Sequence, residues 1–225
     1  MINDNITTLR SDSTASRLRE EIFNGLAEPG TLMAEAAVAK RLGVSRVPVR
    51  EALFTLQREG LVEFSTTGRA FVKKLSPQDF EELYELRLTL EPLAAKLAAP
   101  CLKHDTASLE QNLAATLAAK SVQDVTRLDL EFHEMILAAS GNARLLKLWT
   151  SLRGELDLWL GRLHRKHQRQ TKETRDATVK AHRSLIKCFQ SQSPAACARM
   201  MTTHILGWRK WLPVQNGNST SEDVK

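Results

Sequence analysis

The feature that most restricts the fold is the lack of strand patterns between residues 77 and 212. Prolines and glycines fall mainly at the ends of long segments whose apolar residues recur at helical spacing. Helices are predicted at about residues 77–99, 105–119, 121–139, 142–168, 173–190 and 194–212. Because short connections join these six long helices, we expect an antiparallel bundle.

The first 75 residues predict a different unit. Helical patterns cover residues 13–26, 35–42 and most of 42–62, and two short apolar runs then flank a turn at residues 65–69. Three helices followed by a β-hairpin are typical of a winged helix-turn-helix. The predicted fold is therefore mainly α. The predicted divisions are a flexible start (1–12), a winged helix-turn-helix domain (13–75), a helical domain (77–212) and a flexible tail (213–225).

The helix within residues 42–62 has one apolar side and one basic edge. Ser45 is expected to cap its start, and a proline in the first turn loses no helical hydrogen bond. Arg46 and Arg50 lie about a quarter turn from the apolar side. Forked donors on a rigid helix suit a major-groove reading helix. On this segment alone, the pattern favours an ordinary surface helix with solvated arginines.

Charge and composition favour a globular protein with a polyanionic partner. The net charge is +6 and the isoelectric point is about 9.4, while 42% of the 225 residues are hydrophobic. We see neither a secretory signal nor an apolar run of the roughly 18 residues that a membrane span needs. Three cysteines without CxxC spacing indicate reduced thiols. We therefore expect a cytoplasmic protein with no membrane partner.

Polar residues interrupt the apolar stripes of three helices in the second domain. Asp129 and His133 lie one turn apart on one face, and His182 and His204 each lie near the centre of another stripe. A buried, unpaired aspartate is unfavourable, and a bound cation removes that cost. The mixed nitrogen and oxygen donors predict a divalent transition metal, with zinc first and nickel, manganese or iron as alternatives. A purely hydrogen-bonded polar core is the competing interpretation.

Other polar residues are open to two interpretations or predict surface positions. Arg87 and Glu91 fall on the inward face of helix 77–99. They could form a self-contained ion pair. Alternatively, Arg87 could bind the carboxylate of a small acid while Glu91 holds its guanidinium. His104 resembles a helix-start residue. His164 and His167 lie among basic residues and predict a solvated helix end.

Two sets of motifs carry a family resemblance. Residues 29–72, with the run AAVAKRLGVSRVPVREALFTLQREGLV followed by GRAFV, resemble the GntR family of bacterial transcription regulators. LYELRLTLEPLAAKLAA (83–99), DLEFHEMILAASGN (129–142), AHRSLIKC (181–188) and MMTTHI (200–205) resemble the FCD effector domain of its FadR branch. Six helices after a short linker are similar to the VanR-like subgroup.

The resemblance implies a role for particular residues. It places DNA contacts on Ser45, Arg46 and Arg50, and on a wing tip that includes Thr66, Gly68 and Arg69. It places the metal ligands on the four residues already selected from stripe position. It also implies that Arg87 belongs to the effector pocket and that the helical domain binds ligand and dimerises.

The resulting expectation is a ligand-controlled regulator, most simply a repressor. A homodimer would place two reading helices in successive major grooves of a palindromic operator. A small organic acid would bind between the metal and Arg87 and shift the population between two arrangements. The alternative from another class is a metal-dependent enzyme acting on a small carboxylate. His133-Glu134 begins like HExxH, but position 137 is leucine. A non-specific architectural DNA-binding protein is a third hypothesis, but such a protein would not need a polar core in the helical domain.

Overall fold

The computed structural model describes residues 2–211, with side chains from residue 13 onward. Helices α1 (Ile2–Phe23), α2 (Glu35–Leu42) and α3 (Arg46–Arg58) precede strands β1 (Val62–Phe64) and β2 (Ala70–Val72). Helices α4 (Pro77–Leu102), α5 (Ala107–Ala118), α6 (Val122–Ala139), α7 (Ala143–Thr171), α8 (Thr174–Ser191) and α9 (Pro194–Leu206) follow, with a short 3-10 helix at Arg209–Trp211. The mainly α prediction is confirmed within this range. The tail predicted at 213–225 lies outside the described residues.

The first domain is a three-helix unit with a small wing. The strands pair antiparallel in the register Val62–Val72, Glu63–Phe71 and Phe64–Ala70. Leu18 of α1, Leu53 and Leu56 of α3 and Val72 of the wing are all buried in one cluster. Helix α1 begins at Ile2, so its backbone includes residues for which the sequence predicted a loose segment. Residues 2–23 contain no glycine or proline, so nothing in the chain interrupts the helix there.

Helix α4 passes through two prolines. Pro100 was expected to end this helix, but it continues to Leu102 with Pro92 and Pro100 inside it. Its start is well defined, because the side chains of Ser76 and Asp79 each accept the other's backbone N–H in a capping box. Helix α9 ends at Leu206 with Gly207 as its C-cap, before the predicted end at residue 212.

The two domains meet along the first half of α7. A Cβ atom added to Gly154 would lie 1.6 Å from the backbone oxygen of Glu59, the C-cap residue of α3. Glu155 pairs with Lys73 of the linker at 2.9 Å, and Leu158 packs against the apolar clusters of both domains. Gly154 is therefore required for backbone-to-backbone contact between the end of α3 and the bundle.

None of the helices in the described part of the chain is both long and apolar enough to cross a lipid bilayer.

Candidate nucleic-acid interface and metal centre

Helix α3 buries one side and exposes its arginines. Its buried residues are Pro48, Val49, Ala52, Leu53 and Leu56. The side chains of Arg46 and Arg50 are 68% and 61% exposed. The helix therefore presents two guanidinium groups on a rigid, well-packed support, as the sequence predicted.

Ser45 occupies the N-cap position with an extended backbone, but its side chain makes no capping hydrogen bond. The predicted cap interaction is therefore wrong in this structure. A hydroxyl that is not used by the helix remains available to a phosphate oxygen beside the first turn.

Glu35, the first residue of α2, was not identified from the sequence. Arg50 donates from Nε to Glu35 Oε1 at 2.7 Å and from Nη2 to Oε2 at 3.0 Å, and Arg46 Nε lies 3.9 Å from Oε2. The hydrogen bond from Arg50 lowers the pKa of Glu35, although burial opposes the shift. Glu35 therefore holds Arg50 in one orientation on the free protein. The contact joins two helices, so spacing along one helix could not reveal it.

The wing tip lies beside these arginines. Gly68 has a φ of +73°, which the turn requires, and its N–H donates to the Ser65 carbonyl. Thr66, Gly68 and Arg69 are all exposed. A concave surface of about 500 Å³ is lined by Arg46, Arg50, Gly68 and Arg69 together. The structure thus brings the predicted reading helix and the predicted wing to one surface.

The four predicted metal-ligating residues form one cluster inside the bundle. One donor atom from each of Asp129, His133, His182 and His204 lies within 4.8 Å of the others. His133 Nε2 is 3.2 Å from His204 Nε2 and 3.5 Å from Asp129 Oδ1, and His182 Nε2 is 2.7 Å from the same oxygen. Such separations are those of donor atoms arranged around a single ion.

Unsatisfied atoms in the cluster test whether a cation fits. Despite its proximity to Asp129, His182 Nε2 has no hydrogen-bond partner and is fully buried. Burial would raise the pKa of Asp129, but His133 and His182 hold it well below its usual value. Burial lowers the pKa of His182 and His204. An ionised carboxylate facing the neutral imidazoles of His182 and His204 suits a divalent transition metal, and a bound cation would displace the remaining proton from His133, so the residues fit.

His164 corrects a prediction. Its side chain is fully buried rather than solvated, and Nε2 lies 3.5 Å from Asp129 Oδ2. Thr126 donates its hydroxyl to the Val122 carbonyl, so it accepts from His164 Nδ1 at 3.0 Å. The free lone pair on Nε2 therefore points towards the cluster. Burial lowers the His164 pKa to about 4, which keeps the ring neutral.

His167 is also buried, although the sequence predicted a surface position. Its Nδ1 lies 2.8 Å from Thr174 Oγ1, and its ring contacts Trp208 and Trp211. The signal for both histidines was present, since residues 160, 163, 164 and 167 continue one helical stripe. Their basic neighbours concealed it.

Arg87 and Glu91 sit directly beside the cluster. Both side chains are buried and form an ion pair. Glu91 Oε2 lies 2.6 Å from His133 Nδ1, and Arg87 Nη2 lies 3.5 Å from His133 Nε2. Burial opposes both shifts, yet Arg87 lowers the Glu91 pKa to about 2 and Glu91 raises the His133 pKa to about 8. Glu91 therefore orients His133 from outside the donor set.

Glu134 takes no part in this centre. Its carboxylate pairs with Arg153 of α7, and its position is turned about 100° around α6 from that of His133. The HExxH-like start at His133 is therefore not accompanied by a catalytic carboxylate in the cluster.

Comparison with known proteins decides the family. The profile described as "Bacterial regulatory proteins, gntR family" matches residues 10–72, and the FCD domain profile matches residues 82–207. The chain belongs to the GntR family. Its two domains are those of a GntR-type DNA-binding regulator with an FCD domain, and its named relatives are regulators rather than enzymes.

Curated relatives and solved structures agree with this membership. The chain is 33% identical to the uncharacterized HTH-type regulator YdhC of Bacillus subtilis over 59% of this chain and 62% of that protein. It is 25% identical to the gluconate operon transcriptional repressor of Bacillus licheniformis over 79% of this chain and 74% of that one. The structure of E. coli McbR/YncC matches with a TM-score of 0.71 at 19% identity, covering 90% and 96% of the two chains, which establishes the fold.

Proposed function

We propose that this GntR-family regulator is a cytoplasmic transcriptional repressor that binds a palindromic operator as a homodimer. The observation that carries this proposal is the shared surface of Arg46, Arg50 and Arg69, which joins reading helix and wing. Bidentate arginine contacts to guanine would supply sequence specificity, and contacts to phosphates would supply much of the affinity. Three curated relatives carry names as operon transcriptional repressors, which supports the proposed direction of control.

A row of exposed leucines on α4 supports the dimer. Leu86, Leu93 and Leu97 are between 41% and 46% exposed, and with Leu90 they lie within about 60° on one helix face. Apolar stripes of this kind are costly in water and pack well against a second copy. Leu93→Glu should lower the sedimentation coefficient towards the monomer value, whereas Leu117→Glu on α5 should not. A dimer that survives the first change would place the interface elsewhere.

The FCD domain is proposed to bind a divalent transition metal and, beside it, a small organic acid. Asp129, His133, His182 and His204 would hold the metal, for which zinc suits the three imidazoles and one carboxylate best. A bound metal supplies a Lewis-acidic position for a carboxylate oxygen. Arg87 lies next to the donor atoms and is held by Glu91, so its guanidinium can orient the same acid.

The number of helices after the linker, six, also supports placement in the VanR-like subgroup. Residues 77–211 contain α4 to α9, without a further α-helix between linker and bundle in the described chain.

Operator selection from random double-stranded DNA tests the central proposal. The full-length, zinc-loaded protein should enrich an inverted repeat whose half-sites lie about one helical turn apart. Repeating the selection with a series of small carboxylic acids should reveal one that weakens binding to the enriched site. Enrichment of no sequence, or of a site without two-fold symmetry, would contradict the proposed dimeric repressor.

A further inference from the structure

A second cavity lies between the two domains and shares no residue with the proposed metal centre. Its volume is about 580 Å³, and its walls come from the C-terminal part of α1, the first half of α6 and the middle of α7. The cavity is large enough for a small organic molecule. Because α1 belongs to the DNA-binding domain, any occupant would contact both domains at once.

One cation in this cavity has no counter-charge. Arg19 pairs with Glu59, Arg127 with Glu131, and Arg153 with Asp157. Arg165 differs from these three lining arginines, because no described side chain forms an ion pair or hydrogen bond with it. Its neighbours Arg162 and Arg169 add positive charge at the same end. A partly buried, unpaired guanidinium is unfavourable unless an anion joins it.

The backbone fixes where this guanidinium lies. A Cβ atom added to Gly161, one turn earlier on α7, would lie 3.2 Å from Arg165 Nη1 and 3.9 Å from the methyl group of Thr126. The guanidinium therefore folds back over a glycine and borders α6 at the floor of the cavity. Its donors are held at the cavity wall rather than extended into bulk water.

Part of the remaining wall is apolar. Ile22 and Phe23 of α1 and Leu158 of α7 line the same cavity as Arg165. The lining also contains acids, of which Glu131 and Asp157 are engaged by arginines as described and Asp124 accepts from Ser121. Glu20 is exposed and lies on α1 rather than on the helix that carries Arg165. The combination selects a molecule with one anionic group and an apolar body.

We propose that this inter-domain cavity is a second ligand site, distinct from the metal centre, for an aromatic or aliphatic organic anion whose carboxylate binds Arg165. The apolar body of the ligand contacts α1 and Leu158. Occupation of the site joins the DNA-binding domain to α7, and it therefore stabilises the inter-domain arrangement in which the cavity exists.

Calorimetric titration with 1-naphthoate tests the site in the full-length, zinc-loaded protein. The parent should bind with a dissociation constant below about 1 mM. Arg165→Gln should weaken binding about ten-fold or more, because a charge-assisted, forked contact is lost. Arg169→Gln, an exposed change on the same helix, should alter it less than about two-fold. A naphthylmethylammonium ion of the same shape should not bind.

Two further measurements separate this site from the proposed effector pocket. The His133→Ala/His182→Ala variant should retain the Arg165-dependent binding, and circular dichroism should show that Arg165→Gln is folded. Hydrogen exchange with naphthoate bound should show protection at residues 19–24 and 158–165. The proposal is overturned by absence of binding to the parent, by equal affinity in Arg165→Gln, or by protection confined to the metal centre.

Discussion

The proposed DNA-reading surface and the Asp/His cluster of the proposed metal centre both concentrate polar groups, but they are built in opposite ways. Arg46 and Arg50 stand in solvent on a helix whose other side is packed. Asp129, His133 and His182 are almost completely enclosed by the bundle. Exposed charges stay hydrated and cost the fold little, whereas buried ones need partners or an ion. Substitutions should therefore affect binding alone at the first region, and binding together with stability at the second.

The largest expected effect is at the metal cluster. Replacing His133 and His182 with alanine should reduce bound metal from about one ion per chain to almost none, since two of four donors are removed. Plasma mass spectrometry of dialysed protein measures the content, and thermal unfolding should show a lower midpoint. His104→Ala, an exposed histidine change, is the control. Equal metal content in variant and parent would show that these four residues hold no ion.

The reading surface should give a large effect on DNA and none on the fold. Arg50→Ala should weaken binding to the selected operator by about 100-fold, because a dimer loses one forked base contact in each half-site. The unfolding midpoint should stay within error, since the side chain is exposed. Arg58→Ala near the other end of α3 serves as the comparison. If both variants bind the operator with the same affinity, α3 does not contact the bases as proposed.

The boundary between the two regions offers a third, smaller effect. Gly154→Ala should lower the free energy of unfolding by about 2 kcal/mol, because the new methyl group meets the Glu59 carbonyl and backbone must shift. Urea denaturation measures this. Gly161→Ala on the same helix is the matched control, because its methyl group would meet the flexible end of Arg165 and make an ordinary 3.9 Å contact with the Thr126 methyl group, but would meet no backbone atom of another segment. A loss of stability that is equal in both variants would remove the special role of Gly154.

The smallest expected effect concerns pH. Burial raises the pKa of Asp157 from 3.8 to about 6, with Arg153 opposing the shift. The folded state therefore holds this proton more tightly than the unfolded state. Its contribution to stability is complete below about pH 4 and is lost as pH rises through about 6.

Asp157→Asn should remove that pH-dependent loss. In urea denaturation, the free energy of unfolding of the variant should rise relative to that of the parent from pH 4.5 to pH 7. Asp176→Asn, at an exposed position, should show no such gain. A constant difference between the Asp157 variant and the parent at both pH values would contradict the assigned shift.

Periodicity along single helices predicted most of this molecule. It gave the six bundle helices to within a few residues, and it placed Asp129 and the three other donor residues on inward faces before any contact was known. It could not give Glu35 as the partner of Arg50, or Gly154 as the contact of Glu59, because both pairs join segments far apart in the chain. His164 was within reach of the pattern, but three adjacent basic residues favoured a surface interpretation.

The continuous helix α7 has a mechanical consequence. Gly154 contacts the end of α3, and His164 faces Asp129 ten residues later, so the two points are about 15 Å apart along one rod. A displacement of 1 Å at His164 corresponds to a tilt of about 4° around Gly154. If α3 follows that tilt, Arg50, about 14 Å from the pivot, moves by about 1 Å. That distance separates a hydrogen bond to a base from a broken one.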